Sequence, residues 1–282
     1  MKILFLGTAA AEGIPSPFCE CSTCTHARQA GGRNVRMRTA VLVNDDLLLD
    51  CGPDLVAAAQ RFGVRLNRLE TLLVTHAHED HFLPSNLVWR GPAFCPTPLT
   101  HLRIFGPGPV TRTLRRGPHW PTLAEQGAMS VEAVRAGQRW RSGQYHITAL
   151  PATHDEGRAA LLYVVSDGAH KLLYATDSGP LAVRAWHIVA REAPFNVVLM
   201  DETLGRGAHW EGHHNVESFL EAHGRFVHEG WLAEKAQFVA FHFSHQGNPP
   251  HDELVRYFAP YAVRVAYDGM ELTTTPPGRS AP

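Results

Sequence analysis

Between Thr75 and His81 the chain reads Thr-His-Ala-His-Glu-Asp-His. Neutral imidazoles beside a carboxylate are ligands for Zn, Mn or Fe. Three histidines and an aspartate within six residues cannot all bind one ion from a single loop, but they can serve two ions a few ångströms apart. The competing reading is a solvated polar loop, because 18 of the 282 residues are His. A second concentration of ligands is Cys19, Cys21 and Cys24, three of the five cysteines within six residues. That spacing suits a metal better than a disulfide framework. Three thiolates leave a tetrahedral structural zinc one ligand short. Cys51 and Cys95 have no such context and are expected to be plain core or surface thiols. Gly7–Gly13 lacks Gly-Lys-Ser/Thr, which excludes a nucleotide P-loop.

These residues need a scaffold, and short apolar runs supply one. The runs are Lys2–Leu6, Thr39–Val43, Asp46–Leu49, Thr71–Thr75, Leu102–Phe105, Tyr145–Leu150, Leu161–Val165, Lys171–Thr176, Val197–Met200, Phe238–Phe241 and Val263–Tyr267. Helices are predicted at Pro53–Phe62, Leu181–Glu192, Val216–His228 and Asp252–Phe258, with Asp54 or Asp252 suited to a first turn. Many strands with interspersed helices predict a layered α/β domain. No fixed-period repeat and no Gly/Ser linker divides the chain, so one domain is expected over residues 1–274, with residues 275–282 a loose tail. The Gly-, Pro- and Arg-rich stretch from Gly106 to Gly143 is left unplaced.

The polar residues gather where the runs end. Thr71–Thr75 leads into His76, and Tyr145–Leu150 is followed by Pro-Ala-Thr-His154. Lys171–Thr176 ends at Asp177, Val197–Met200 at Asp201, and Phe238–Phe241 at His242. The carboxyl ends of strands are where α/β folds build sites.

His-x-His-x-Asp-His after a strand resembles the metallo-β-lactamase superfamily, and His154, Asp177 and His242 follow in the order that superfamily uses. The resemblance implies a four-layer αββα sandwich with a dinuclear site. On it, His76, His78 and His154 bind one divalent ion. Asp80, His81 and His242 bind the other, and Asp177 bridges them. Gly7–Pro15, the loop Cys19–Cys24, Phe241–Gln246 and Tyr267–Glu271 resemble the phosphoribosyl 1,2-cyclic phosphate phosphodiesterases of phosphonate breakdown. The likeness runs from Lys2 to Leu272 and is weak between Gly106 and Gly143. It departs at Ala9, where Gly is usual, and after His154, where Asp155-Glu156-Gly157-Arg158 stands in place of a Gly-Tyr pair.

The same resemblance implies that His245 completes a structural zinc with Cys19, Cys21 and Cys24, making residues 19–24 a zinc-knuckle loop. It selects His213, three residues before Val216, as catalytic acid or oxyanion stabiliser, ahead of His214 and then His209. Asp80 joins His213 in the catalytic set. The implied cofactors are two Mn or Zn ions and one structural Zn. The implied reaction is attack of a metal-bridging hydroxide on a small cyclic phosphate ester, with His213 protonating the leaving sugar oxygen. Asp201 and Asp268 are candidates to orient a ligand histidine.

Other readings share this centre. Phe241-His242-Phe243-Ser244 is similar to RNA 3′-processing nucleases, and a lactonase or thioesterase is a further alternative. The Cys triplet and Asp268-Gly269-Met270 also resemble pyrroloquinoline quinone accessory proteins, from which the intact His-x-His-x-Asp-His points away. A net charge of −1 argues against a non-specific nucleic-acid binder. Apolar runs of four to six residues are far short of the roughly 20 of a membrane span. Ile3–Leu6 is too short for a secretory core and is expected to be a buried first strand of a cytoplasmic protein. The expected partner is a small phosphate ester, with no membrane and no nucleic acid; a homodimer is left open.

Overall fold

The computed structural model describes residues 1–154 and 159–274. The departure at residues 155–158 and the tail at 275–282 lie outside the described residues. The first half runs β1 (Lys2–Gly7), α1 (Ser22–Ala30), β2 (Ala40–Val43), β3 (Leu47–Leu49), α2 (Leu55–Arg61), β4 (Thr71–Leu73), β5 (Leu102–Gly106), α3 (Gly108–Arg116), α4 (Trp120–Glu125) and β6 (Met129–Ala133). The second runs β7 (Arg139–Ser142), β8 (Tyr145–Pro151), β9 (Leu161–Ser166), β10 (Lys171–Ala175), α5 (Val183–Glu192), β11 (Phe195–Asp201), α6 (Val216–His228), β12 (Leu232–Phe241), α7 (His251–Phe258), β13 (Val263–Val265) and β14 (Glu271–Thr273).

The strands form two sheets, ordered β14-β1-β2-β3-β4-β5-β6 and β13-β12-β11-β10-β9-β8-β7. Alternation along the first sheet explains why its strands read as unbroken apolar runs. Ile3, Phe5, Val41, Val43, Leu47, Leu49 and Leu73 face the second sheet. Leu4, Leu6, Ala40, Leu42, Leu48 and Leu72 turn the other way, into a separate core with α2, α3 and α4. A strand buried on both faces has no polar side to alternate. On the far face of the second sheet, α5, α6 and α7 bury Ala185, Ile188, Val189, Phe219, Phe226, Leu254 and Phe258. The layers are therefore α, β, β, α, as expected. Ile3–Leu6 is the buried strand predicted, and β1 pairs with β2 on one side and β14 on the other.

Helix α6 starts at the predicted residue for a visible reason. Asn215 accepts a hydrogen bond from the Ser218 backbone N–H at 2.9 Å, and Ser218 Oγ accepts from the Asn215 N–H at 3.2 Å. This reciprocal cap satisfies donors that a helix start leaves open. Asp54 does not cap α2 with its side chain. Its carboxylate instead accepts from Arg38 Nη1 at 2.8 Å. The unplaced stretch from Gly106 to Gly143 holds α3, α4, β6 and β7. Gly-Pro-Gly-Pro reads as a breaker, yet Pro109 falls in the first turn of α3, where a missing N–H costs nothing.

Strands β10, β11 and β12 run parallel, so their carboxyl ends lie along one edge. Asp177, Asp201 and His242 stand there. Asp177 and His242 both adopt left-handed backbone, with φ of 55° and 67°. Such turns are sparsely populated by non-glycine residues and re-aim side chains at functional sites. No helix among the described residues is long and apolar enough to cross a membrane.

Candidate metal centre

The loop after β4 and the ends of the second sheet's strands converge on one point. His76 Nε2 lies 2.8 Å from His78 Nδ1 and 3.0 Å from Asp177 Oδ2. His154 Nε2 lies 3.4 Å from His78 Nδ1 and 3.5 Å from Asp177 Oδ2. On the other side of Asp177, His81 Nε2 is 3.2 Å from each of Asp80 Oδ2, Asp177 Oδ2 and His242 Nε2. His242 Nε2 is 4.0 Å from Asp177 Oδ1. Each set keeps its donor atoms within 4.8 Å of one another, and Asp177 belongs to both.

These separations match ligand-to-ligand edges. Tetrahedral donors about 2.0–2.1 Å from a zinc stand about 3.3 Å apart. The chemistry of the donors also fits, because a ligating imidazole must be neutral and a ligating carboxylate ionised. Burial holds His154 and His242 below the ordinary histidine range, which favours the neutral ring. Burial opposes ionisation of Asp177, but positive charge on the rings of His242, His76 and His81 outweighs it and holds the carboxyl well below its usual range. Burial also opposes charge on His81, but Asp80, Asp50 and Asp177 raise it well above the histidine range, so a bound cation would have to displace its proton. The residues therefore fit two divalent cations sharing one carboxylate.

The backs of the rings are held in turn. His81 Nδ1 donates to Asp50 Oδ2 at 2.8 Å. Asp50 is fully buried and also accepts from the Thr75 N–H, Thr75 Oγ1 and Tyr174 OH at 2.8–3.0 Å. His242 Nδ1 pairs with Thr203 Oγ1 at 2.8 Å, and Thr203 leans on Asp201. A carboxylate or hydroxyl behind a ligand histidine sets which nitrogen faces the metal.

His213 stands over the pair. Its Nδ1 lies 3.0 Å from Asp201 Oδ2 and 3.2 Å from Asp177 Oδ1. Burial disfavours the imidazolium, but Asp201 and then Asp177 overcome it, and the ring is pushed up to about 9. His214 points away, into α6, where its Nδ1 meets Ser218 Oγ at 2.9 Å. His209 is exposed and is absent from the walls of the cavity above the centre. That cavity holds about 480 Å³, and His78, His154, Asp177, His213 and His242 line it.

The cysteine triplet closes a second set. His245 Nδ1 lies 3.4 Å from Cys21 Sγ and 3.6 Å from Cys19 Sγ, and Cys24 completes the group. A mixed S/N tetrahedron around zinc has an edge of about 3.6 Å. The Cys21 thiol is pulled down to about 6: burial opposes this, but the Cys24 N–H, His245 and Cys19 prevail. Glu12 Oε1 sits 3.6 Å from His245 Nε2 and also accepts from Ser244 Oγ, and Glu12 reaches the wall of the 480 Å³ cavity.

Residues 46–243 match the family model of the beta-lactamase superfamily domain. The chain belongs to the metallo-β-lactamase superfamily. Within it, the chain is similar to ribonuclease BN of Erwinia tasmaniensis, 27% identical over 160 residues that cover 55% of this chain and 46% of that one. Aligned parts span 16% to 46% of the length of the first curated relatives it matches. Its fold is shared with zinc-bound PqqB from Methylobacterium extorquens, with a TM-score of 0.76 and 18% identity over 97% of this chain and 100% of that one. It is shared also with a diphosphatase of the PhnP family, with a TM-score of 0.73 and 19% identity over 96% of each chain.

The superfamily frame brings together every residue that the sequence selected for the two metal sets and the knuckle. Asp201 binds His213 first, at 3.0 Å, and reaches the ligand-set His242 at 3.5 Å and through Thr203. Asp268 does neither: its carboxylate accepts from Thr8 Oγ1 at 2.7 Å and the Met37 N–H at 2.6 Å, and it reaches none of the ligand histidines. It lies beside the buried Arg36 and braces the opening loop. Cys51 is a core thiol, pushed up to about 12 by burial and by Asp50, and Cys95 is half-buried. Sequence reasoning missed Asp50, Glu12, Thr203 and Trp210. Asp50 carried a usable signal, an acid directly after the all-apolar Leu47–Leu49.

Proposed function

We propose that this superfamily hydrolase is a metal-dependent phosphodiesterase acting on a small cyclic phosphate ester such as phosphoribosyl 1,2-cyclic phosphate. The observation that carries the reading is His213, which is fastened by Asp201 at the rim of the two donor sets and faces a cavity of about 480 Å³. When bound, two cations polarise phosphoryl oxygens and lower the pKa of a water toward neutrality. The chain's own contribution is orientation and proton transfer. Asp201 accepts at His213 Nδ1, which leaves Nε2 to deliver a proton to a leaving sugar oxygen. General-acid help of this kind contributes about 10²–10⁴-fold. Asp50 and Thr203 hold His81 and His242 so that their Nε2 atoms face inward. Asp80 belongs to this machinery through its contact with His81.

The likeness in fold to a PhnP-family diphosphatase supports phosphoryl chemistry. The stretch similar to ribonuclease BN supports an RNA 3′-processing alternative. A net charge of −1 favours a small substrate over a polyanion. We further propose Mn or Zn at the centre, zinc in the knuckle, and a cytoplasmic protein of one domain over residues 1–274.

The test is purified protein with measured metal content, assayed against cyclic ribose phosphate, a bis-aryl phosphate, a cyclic nucleotide, a 3′-extended tRNA and a lactone. Hydrolysis of the small diesters with the lactone and tRNA untouched is expected. Turnover of the lactone or tRNA alone, or none with full metal, contradicts the reading.

A further inference from the structure

Residues 204–213 read Leu-Gly-Arg-Gly-Ala-His-Trp-Glu-Gly-His, a loop that arches over the metal centre. Despite its glycines, it is clamped at both ends. A Cβ on Gly205 would lie 2.0 Å from Gly247 O, and one on Gly179 would lie 1.8 Å from Glu211 O. Leu204 N–H donates to His214 O at 3.0 Å, Val216 N–H to Gly205 O at 2.9 Å, and Asn215 Nδ2 to Ala208 O at 3.1 Å.

At the crest of this loop is Trp210, 53% exposed. Its indole is not loose. It lies on Gly212, where a Cβ would come within 2.7 Å of the ring. It packs on His213 with ring centroids 4.9 Å apart and meets His154 edge-on at 5.8 Å. The rest of the indole lines the 480 Å³ cavity beside His78 and Asp177. A large apolar ring held half in water at the mouth of a polar site has no part in the core. It stands on the His213 side, where the leaving oxygen would receive its proton.

We propose that Trp210 determines specificity by providing the platform on which the sugar ring of the leaving group packs. The substrate class is then a phosphodiester whose departing oxygen belongs to a sugar, in preference to one with a plain alkyl arm. This inference rests on the phosphodiesterase reading. The face is already ordered by the clamped loop, so a ring settling on it loses little freedom to the protein side.

The experiment compares wild type, Trp210→Ala and Trp210→Phe, each with measured metal content. The substrates are ribose 1,2-cyclic phosphate and ethylene phosphate, which share a five-membered cyclic diester with and without the sugar. Trp210→Ala is expected to lower the ratio of kcat/KM for the ribose ester over ethylene phosphate about tenfold, through KM, while Trp210→Phe stays within about threefold of wild type. Titration calorimetry reads the same preference without turnover, as the affinity for ribose 1-phosphate relative to inorganic phosphate. A Trp210→Ala protein that loses both affinities equally, or neither, overturns the platform, as does wild type that holds ribose 1-phosphate no better than phosphate. Selective loss in calorimetry without turnover of either diester leaves the platform standing and removes the phosphodiesterase reading. Diester turnover with an unchanged ratio does the reverse.

Discussion

His242 and His245 lie three residues apart on the loop that leaves β12, and they serve two differently built donor sets. His242 faces Asp177 and the cavity. His245 faces Cys19, Cys21 and Cys24, beside a loop braced by Glu12, Arg36 and Asp268. The knuckle is a four-donor set with no vacancy by composition, which suits a structural tie. The centre mixes imidazoles with carboxylates, one of them shared, and opens onto a pocket. Four protein thiolate and imidazole donors saturate a tetrahedral zinc, whereas catalysis needs a position for substrate or water. The contrast teaches that one exit loop can anchor the frame and arm the site at once.

The contrast is broken most severely at Asp177. Asp177→Ala is expected to lower kcat/KM by about 10³-fold or more and to strip metal from the centre, while one zinc equivalent stays in the knuckle. Metal analysis beside kinetics checks this; loss of all metal together would mean that the two sets are not independent. His213→Ala is expected to lower kcat about 10²-fold or more with every metal equivalent retained. Unchanged kinetics would remove the proton-donor role.

The knuckle side gives smaller effects. Cys21→Ser should release one zinc equivalent and lower Tm by about 5–15 °C, with the centre still loaded. Unaltered zinc content in the variant would contradict the tie. Behind the knuckle, Arg36 Nη2 meets His251 Nδ1 at 3.0 Å. Burial, and then Arg36 and Arg33, push the His251 ring down to about 4. The unfolded chain binds a proton there below about pH 6.5, and the folded chain does so only near pH 4. This contribution to stability is therefore complete above pH 6.5 and is lost as pH falls toward 4. His214, pushed down to about 4 by burial, acts with the same sign. Asp268, pushed up to about 6 by burial, opposes them. His251→Gln should lose less stability than wild type between pH 7 and pH 5, read as the difference in urea midpoints. An identical loss would exclude His251 from the acid response.

Much of this was legible because of where the residues stand. Strands buried on both faces leave continuous apolar runs, and the polar residues that follow Thr71–Thr75, Lys171–Thr176, Val197–Met200 and Phe238–Phe241 are aimed at the site. Helix α6 was legible as the run Val216–His228, and the structure adds Asn215 as its cap. Helix α1 did not, because Thr23, Cys24 and Ala27 are its whole buried face. Strands β6 and β7 are half-exposed edges with mixed side chains. Asp50 carried a local signal, but the partners of Asp50, Glu12 and Thr203 were hidden for another reason. Each acts on a histidine brought near only by the fold: His81 for Asp50, His245 for Glu12, His242 for Thr203. Trp210 is a lone aromatic in a Gly-rich loop, and nothing local marks it as standing over His213.

The central claim is that Asp177 sits between two cations. Crystals of the zinc-loaded protein, measured across the zinc absorption edge, test it directly. The account predicts two anomalous peaks about 3.5–4 Å apart flanking the Asp177 carboxylate, with a third among Cys19, Cys21, Cys24 and His245. A single peak, or none, within reach of Asp177 at full zinc content would contradict it.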